Sequence, residues 1–173
     1  MDYFYLEADY LAINISSPNT QNLRELSALE NIEFLMEKIS QKKAQLIDMH
    51  NKNTPIFVKL SPDETDDNLK NLIEVSEKNS IDGFICCNTT TDHHYPNKGG
   101  MSGAMLSKKA ENIQKKVAQF KQEKSVLIAS GGVMSATDVE QRLMNSADLV
   151  QLYTGYIYQG NSLLKQALKI SSS

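Results

Sequence analysis

Five apolar segments of strand length alternate with amphipathic segments of helix length, and this alternation constrains the fold more than any other feature of the chain. It is typical of a parallel sheet whose strands are joined by right-handed helical crossovers. No glycine-rich GxGxxG follows a strand, which disfavours a dinucleotide-binding fold, and a repeat of about 30 to 45 residues suits βα-barrel units. Five units are too few to close an eight-stranded barrel. The sequence therefore predicts an open sheet or an incomplete (β/α)8 barrel, formed by one domain over 1–173.

The boundaries follow from the apolar runs and their helical or alternating spacing. Strands are expected at 9–17, 55–61, 81–89, 125–132 and 148–155. Helices are expected near 31–51, 64–79 and 107–123, then from Ser135 or Asp138 onward, and finally over the segment that contains Leu163 and Leu168. Each strand is thus followed by a helix.

Composition excludes several classes of function. A net charge of −3 gives no electrostatic reason to expect nucleic acid binding. No apolar run approaches the roughly 20 residues that span a bilayer, and no signal peptide is visible, so we expect no membrane anchor in this chain. The adjacent Cys86 and Cys87 are better explained as small buried strand residues than as a disulfide or a reactive thiol. A reducing, cytoplasmic setting is therefore expected.

Two further motifs have ordinary interpretations. His93 and His94 are adjacent on a loop, and no other cysteine or histidine cluster completes a metal site, so we expect a solvated loop and no metal. The lysines of the 107–124 segment are expected to form a solvated helix face rather than a surface for an anionic partner.

Polar residues recur where each predicted strand ends. In parallel α/β folds, ligands bind beyond the carboxyl ends of the strands, so these groups predict a ligand site along one rim. In chain order they are Asn14, Ser17, Lys59, Asn88, Thr89, Gly131, Gly132, Tyr153 and Thr154.

Lys59 and Asn14 are the most informative of these residues. Strand alternation places Lys59 on the face opposite Val58 and Leu60, where a lysine inside a barrel needs an anionic or polar partner. An edge strand with Lys59 facing water is the alternative. Asn14 is likewise expected to face inward, and its amide could serve a ligand or a purely structural partner.

Two consecutive strands end in glycine-containing turns, "SGG" at 130–132 and "YTG" at 153–155. Glycine lets backbone N–H groups approach an anion closely, and βα-barrels often bind phosphate at the loops after strands seven and eight. The pair therefore indicates a phosphate site, with ordinary βα turns as the alternative.

Several of these segments resemble class 2 dihydroorotate dehydrogenases, in order and at family-like spacing. The segments are "ADYLAINISSPNTQNLREL", "PIFVKLSPD", "IDGFICCNTTTD", "GGMSGAML", "LIASGGVMSATD" and "ADLVQLYTGYIYQG". The resemblance implies a partial (β/α)8 barrel, strands four to eight with their helices. It also implies FMN-dependent oxidation of dihydroorotate to orotate in pyrimidine (UMP) biosynthesis, with a quinone as electron acceptor. Full-length members are peripheral on the cytoplasmic side of the inner membrane.

The resemblance also assigns roles to individual residues. Ser17 matches the catalytic base that takes a proton from C5 of dihydroorotate. Residues that match substrate ligands are Asn14, Asn19, Asn88 and Thr89. Residues that match flavin ligands are Asn14, Lys59, Cys87, Gly103, Gly132, Tyr153 and Thr154. Cys87 stands where a threonine is usual, and Ser130 where a glycine is common.

The resemblance covers only the C-terminal part of the family's barrel, so we expect the isolated chain to be inactive or weakly active. Two alternatives stay open at this point. One is a non-catalytic remnant that binds phosphate or flavin, and the other is a different flavin barrel that acts on uracil-like rings.

Overall fold

The computed structural model describes residues 1–16, 29–96 and 99–171. Five short strands are β1 (Leu11–Asn14), β2 (Ile56–Lys59), β3 (Gly83–Cys86), β4 (Val126–Ala129) and β5 (Leu149–Val150). Six helices are α1 (Leu29–His50), α2 (Asp66–Lys78), α3 (Ser107–Phe120), α4 (Ala136–Met144), α5 (Thr154–Gln159) and α6 (Asn161–Ser171). A 3₁₀ turn, Gly103–Leu106, leads into α3.

The strands form one parallel sheet in the order β1-β2-β3-β4-β5. Each strand pairs with its successor in the chain, as in a βα-barrel, and the predicted alternation of strands and helices is confirmed. Gln151, just after β5, donates a 2.8 Å hydrogen bond to the hydroxyl of Tyr10, just before β1, so the two edge strands of the sheet approach each other. The described residues therefore form one side of a barrel.

The two faces of the sheet differ as the strand alternation requires. Val58 and Leu60 are fully buried in the main core, which the sheet forms with α1, α2 and α3. Phe57 lies on the opposite, concave face, where it packs with Ile85 and Ile128. Because β2 has β1 on one side and β3 on the other, it is an interior strand, and the edge-strand alternative for Lys59 is wrong.

Local sequence signals explain where several helices begin and end. Ser135 caps α4 by accepting from the backbone N–H of Asp138, whose carboxylate accepts from the N–H of Ser135 in return. The last predicted helix is two helices, because Gly160 has a φ of +57° and ends α5 before α6 begins. None of the helices within the described ranges combines the length and apolarity that crossing a bilayer requires.

Candidate functional site

A hydrogen-bonded group of polar side chains lies at the carboxyl ends of β1, β2 and β3. Asn88 Nδ2 lies 3.1 Å from Asn14 Oδ1 and 3.3 Å from Ser16 Oγ, and it donates to both. Ser16 in turn donates to the backbone carbonyl of Lys59 at 2.8 Å. The Asn88 Oδ1 accepts from the backbone N–H of Thr89, which fixes the orientation of the amide. Three strand ends thus present their polar groups together, while Asn14 stays exposed on the concave face.

A cleft of about 250 Å³ opens beside this group, along the carboxyl ends of β2 to β5. Eight residues that the family resemblance assigns to ligands line it, namely Lys59, Cys87, Asn88, Thr89, Gly103, Gly132, Tyr153 and Thr154. Asn14 reaches the cleft through its hydrogen bond to Asn88. Ser17 and Asn19 lie outside the described residues.

The glycine turn after β4 approaches the start of α3 more closely than any side chain would allow. Gly132 has a φ of +71°, and a Cβ placed on it would lie 2.3 Å from Ser107 Cα. Thr154 lines the same end of the cleft from the start of α5. Among the described residues, none accepts a hydrogen bond from the backbone N–H of Gly132. The Thr154 hydroxyl donates to Ser102 Oγ at 3.2 Å, which leaves the Ser102 hydroxyl proton available in the same cleft. This end of the cleft therefore offers an amide donor and a hydroxyl donor, which suit an anion.

Cys86 ends β3 and Cys87 follows it directly, and both are buried, as the sequence predicts. Burial raises the pKa of Cys87 to about 12, although the positive charge of Arg142 opposes the shift. The thiol is therefore neutral near pH 7, and it contributes a weak hydrogen-bond donor rather than a nucleophile to the cleft wall.

A second polar cluster holds the loop that carries Asn88 and Thr89. Asp63, after β2, accepts hydrogen bonds from the Thr90 hydroxyl and from the Thr91 N–H and hydroxyl. Lys109 Nζ lies 2.7 Å from Asp63 Oδ1 and 2.9 Å from Asp92 Oδ2. The expectation that the lysines of α3 are all solvated is therefore wrong for Lys109, which joins α3 to the loops after β2 and β3.

The Asp63 cluster makes stability depend on pH. Burial acts to raise the pKa of Asp63, but hydrogen bonds from Lys109 and Thr90 outweigh it and the pKa is lowered. A lowered carboxyl pKa stabilises the fold above the unfolded value of about 3.9, and this contribution is lost as the pH falls through the folded value. We expect Asp63→Asn to lower the free energy of unfolding most near pH 7, with the difference from wild type shrinking below about pH 4.

Urea unfolding at several pH values measures this difference, with Glu123→Gln as the control because Glu123 is exposed. A stability difference for Asp63→Asn that stays constant from pH 7 to pH 3 would contradict the assignment.

A larger cavity, of about 640 Å³, lies at the opposite, amino-terminal ends of the strands. Its polar wall is occupied by a structural ion pair, in which Lys43 Nζ lies 2.6 Å from Asp82 Oδ2 and the same oxygen accepts from the Ile56 N–H. Ligands of parallel α/β folds bind at the carboxyl ends of the strands. The smaller cleft is therefore the candidate site, despite its size.

Two residues near the cleft were not identified from the sequence as functional. Arg142 and Gln114 are buried behind the turn after β4 and hydrogen-bond to each other. Both lie within helices, at positions where the sequence pattern predicts an ordinary exposed polar residue. Their burial in the structure is what distinguishes them from surface polar residues. His93, by contrast, hydrogen-bonds to the carbonyl of Gly99 within its own loop.

Fold and site together define the chain as one side of a parallel βα-barrel with a candidate ligand cleft at the carboxyl ends of its strands. Its sequence matches the family model described as dihydroorotate dehydrogenase over residues 4–170. The chain therefore belongs to the dihydroorotate dehydrogenase family.

The relatives found by sequence and by structure agree with this assignment. The chain is 39% identical to dihydroorotate dehydrogenase (quinone) of Teredinibacter turnerae over 96% of its own length and 51% of the relative's. For the enzyme of the same name from Dichelobacter nodosus, identity is 40%, over 99% of this chain and 53% of the relative. A crystal structure of the Eimeria tenella dihydroorotate dehydrogenase with ferulenol superposes with a TM-score of 0.87 at 27% identity, over 95% of this chain and 49% of the other.

The chain spans about half the length of these relatives. The expected partial barrel is thus confirmed, and the resemblance inferred from the sequence motifs is confirmed with it.

Proposed function

We propose that this chain provides the C-terminal half of a quinone-dependent dihydroorotate dehydrogenase, with the FMN and dihydroorotate sites along the cleft. The observation that supports this best is the convergence of eight family-matched residues on one cleft at the carboxyl ends of the strands. Dihydroorotate and the quinone are proposed from the names of relatives that are about twice as long, and FMN is proposed from the family resemblance of this chain's motifs.

The donors of the cleft fit a flavin nucleotide in two respects. Gly132 offers a backbone amide, and the hydrogen-bonded hydroxyls of Thr154 and Ser102 offer one hydroxyl donor, at the end of the cleft where a phosphate would lie. Lys59, on the concave side of β2, supplies a cation where an electron-rich ring would lie. When bound, the flavin would supply the hydride acceptor that no protein side chain can provide.

The polar group at the ends of β1 and β3 fits a planar substrate rich in carbonyl and N–H groups. Asn14 Oδ1 is occupied by Asn88, so the Asn14 Nδ2 group is oriented as a donor at the exposed concave face. Thr89 adds a hydroxyl on the cleft wall. Ser17, three residues beyond Asn14, would take the proton from the substrate carbon while its own hydroxyl proton is relayed onward, and a weak base of this kind requires exclusion of water.

A location in the cytoplasm, with full-length relatives peripheral on the inner membrane, remains part of the proposal. The peripheral membrane location is supported by the quinone in the names of the relatives. A spectroscopic search for flavin reduction by dihydroorotate in membranes and in the cytosol would locate the activity.

We expect the purified chain, saturated with FMN, to bind orotate and not uracil, because only orotate carries the carboxylate that the clustered amide and hydroxyl groups would meet. Asn88→Ala is expected to weaken orotate binding about tenfold, the loss of roughly one good hydrogen bond to a charged group. Isothermal titration calorimetry measures the dissociation constants of orotate and uracil for the chain, and that of orotate for Asn88→Ala.

Asn79→Ala is the matched control, because the Asn79 amide donates to the Val75 carbonyl at the end of its own helix and does not line the cleft. Uracil binding as tightly as orotate would favour a different flavin barrel. Absence of both flavin and orotate binding would favour a non-catalytic remnant that keeps no more than the phosphate turn.

A further inference from the structure

Arg142 is a buried cation directly behind the glycine turn of the cleft. Its side chain is only 2% exposed. Its Nη2 donates to the carbonyl oxygens of Gly131 at 3.1 Å and Ser107 at 3.0 Å, and its Nη1 donates to Gln114 Oε1 at 3.3 Å. The guanidinium thus contacts the two backbone segments that meet at Gly132.

These contacts are all to neutral oxygens. Within residues 1–16, 29–96 and 99–171, no carboxylate forms an ion pair with Arg142, although Glu111 and Asp138 act on it from a distance. Burying a guanidinium without a carboxylate is costly, and neutral acceptors offset only part of that cost. Burial accordingly lowers the pKa of Arg142.

The residue is nevertheless held firmly in place. Gln114 is fully buried, and its Nε2 donates to the carbonyls of Arg142 at 2.7 Å and Asn145 at 2.9 Å. The same Gln114 side chain therefore orients the backbone of Arg142 with its nitrogen and the guanidinium with its oxygen. A buried, oriented and unneutralised cation is expected where an anion completes the charge balance.

The contact with Gly131 also directs a donor toward the cleft. In a trans peptide, the carbonyl and the following N–H point in opposite directions. Because the Gly131 carbonyl points at Arg142, the Gly132 N–H points away from it, and no described residue accepts from that N–H. Arg142 therefore both places positive charge behind the turn and turns the Gly132 amide outward.

From this geometry we propose that Arg142 is the charge partner and positioning residue for the phosphate of the bound nucleotide, acting from behind the 130–132 turn without touching the ligand. The inference rests on the proposed flavin site and adds a residue to it. It predicts that the contribution of Arg142 is specific to the phosphate and absent for a ligand that lacks one.

The test compares FMN with riboflavin, which has the same ring system and no phosphate. We expect wild type to bind FMN at least about tenfold more tightly than riboflavin, as followed by flavin fluorescence. Arg142→Met should remove most of that preference by weakening FMN binding alone, whereas Arg142→Lys, which keeps the charge, should retain it. Lys70→Met is the control for loss of a cation, because Lys70 lies on the exposed surface of α2.

The outcomes separate this inference from the proposed function. An unchanged preference for FMN over riboflavin in Arg142→Met would overturn the proposed role of Arg142, but it would not contradict the proposed flavin site. If Arg142→Met weakens FMN and riboflavin binding equally, or if Arg142→Lys loses the preference for FMN, Arg142 has a structural role. Either result also overturns the inference. A wild type that binds neither flavin overturns the proposed function together with the inference. Should Arg142→Met fail to fold, the Arg142→Lys result and the wild-type preference still decide the question.

Discussion

Purified chain supplied with FMN, dihydroorotate and a quinone analogue is expected to turn over below about 10⁻² s⁻¹, against about 10 s⁻¹ for a typical enzyme. The reason lies in the open concave face of the sheet. Asn14 is exposed there, and Tyr153, at the other end of the cleft, is 80% exposed. A serine acts as a base only where water is excluded, and the described half of the barrel does not exclude it.

Orotate formation, followed by its absorbance, measures this rate. Ser17→Ala is the control, because any residual rate that does not depend on the proposed base should be the same in the variant. Turnover near 10 s⁻¹ that disappears in Ser17→Ala would show that this half of the barrel is a competent enzyme by itself, and would contradict the prediction.

A large loss of stability is expected from Gly132→Ala. The new Cβ would lie 2.3 Å from Ser107 Cα and 2.5 Å from Ser107 N, both backbone atoms that cannot move away without shifting the start of α3. The φ of +71° adds strain for any residue with a Cβ. Overpacking and backbone strain together are expected to lower the free energy of unfolding by about 3–5 kcal/mol, measured by urea unfolding.

Gly160→Ala separates the two contributions. Gly160 also has a positive φ, of +57°, but a Cβ there would meet nothing within 4 Å. In this control, backbone strain alone should lower the free energy of unfolding, by about 1–3 kcal/mol. Equal effects at the two positions would mean that the turn after β4 and the start of α3 are not in the close contact described.

Strand alternation made the concave face and its polar rim predictable. Lys59 was assigned to the concave side of an apolar strand because its neighbours Val58 and Leu60 share the other side, and both are fully buried in the helix-facing core. The same reasoning placed Asn14 on the concave side. Alternation is a local property with a period of two, so it can be read from a few adjacent residues.

Contacts between distant segments were not predictable in this way. Lys109 looked like one of many solvated lysines on α3, yet its partner Asp63 lies 46 residues earlier, on another loop. Arg142 pairs with Gln114 on a different helix, 28 residues away. Such pairs depend on how the helices pack around the sheet, and neither residue carries a local signal that separates it from surface neighbours.

The roles of the cleft residues came from the family motifs rather than from physical reasoning alone. Composition and spacing indicated a phosphate turn at 130–132 and a polar rim, but they could not distinguish a flavin from another phosphate-bearing ligand. The motifs that set the flavin and the substrate apart therefore act as a family signature and not as a local physical signal.

Backbone NMR of the ¹⁵N-labelled chain during titration with FMN tests the central claim most directly, because it reports where on the chain the flavin binds. We expect saturable shifts at the amides of Gly132, Thr154 and Asn88, around the smaller cleft. The amides of Lys43 and Asp82, which line the larger cavity at the other end of the strands, are expected to stay unchanged. Shifts confined to the larger cavity, or no saturable shifts at all, would contradict the proposed flavin site.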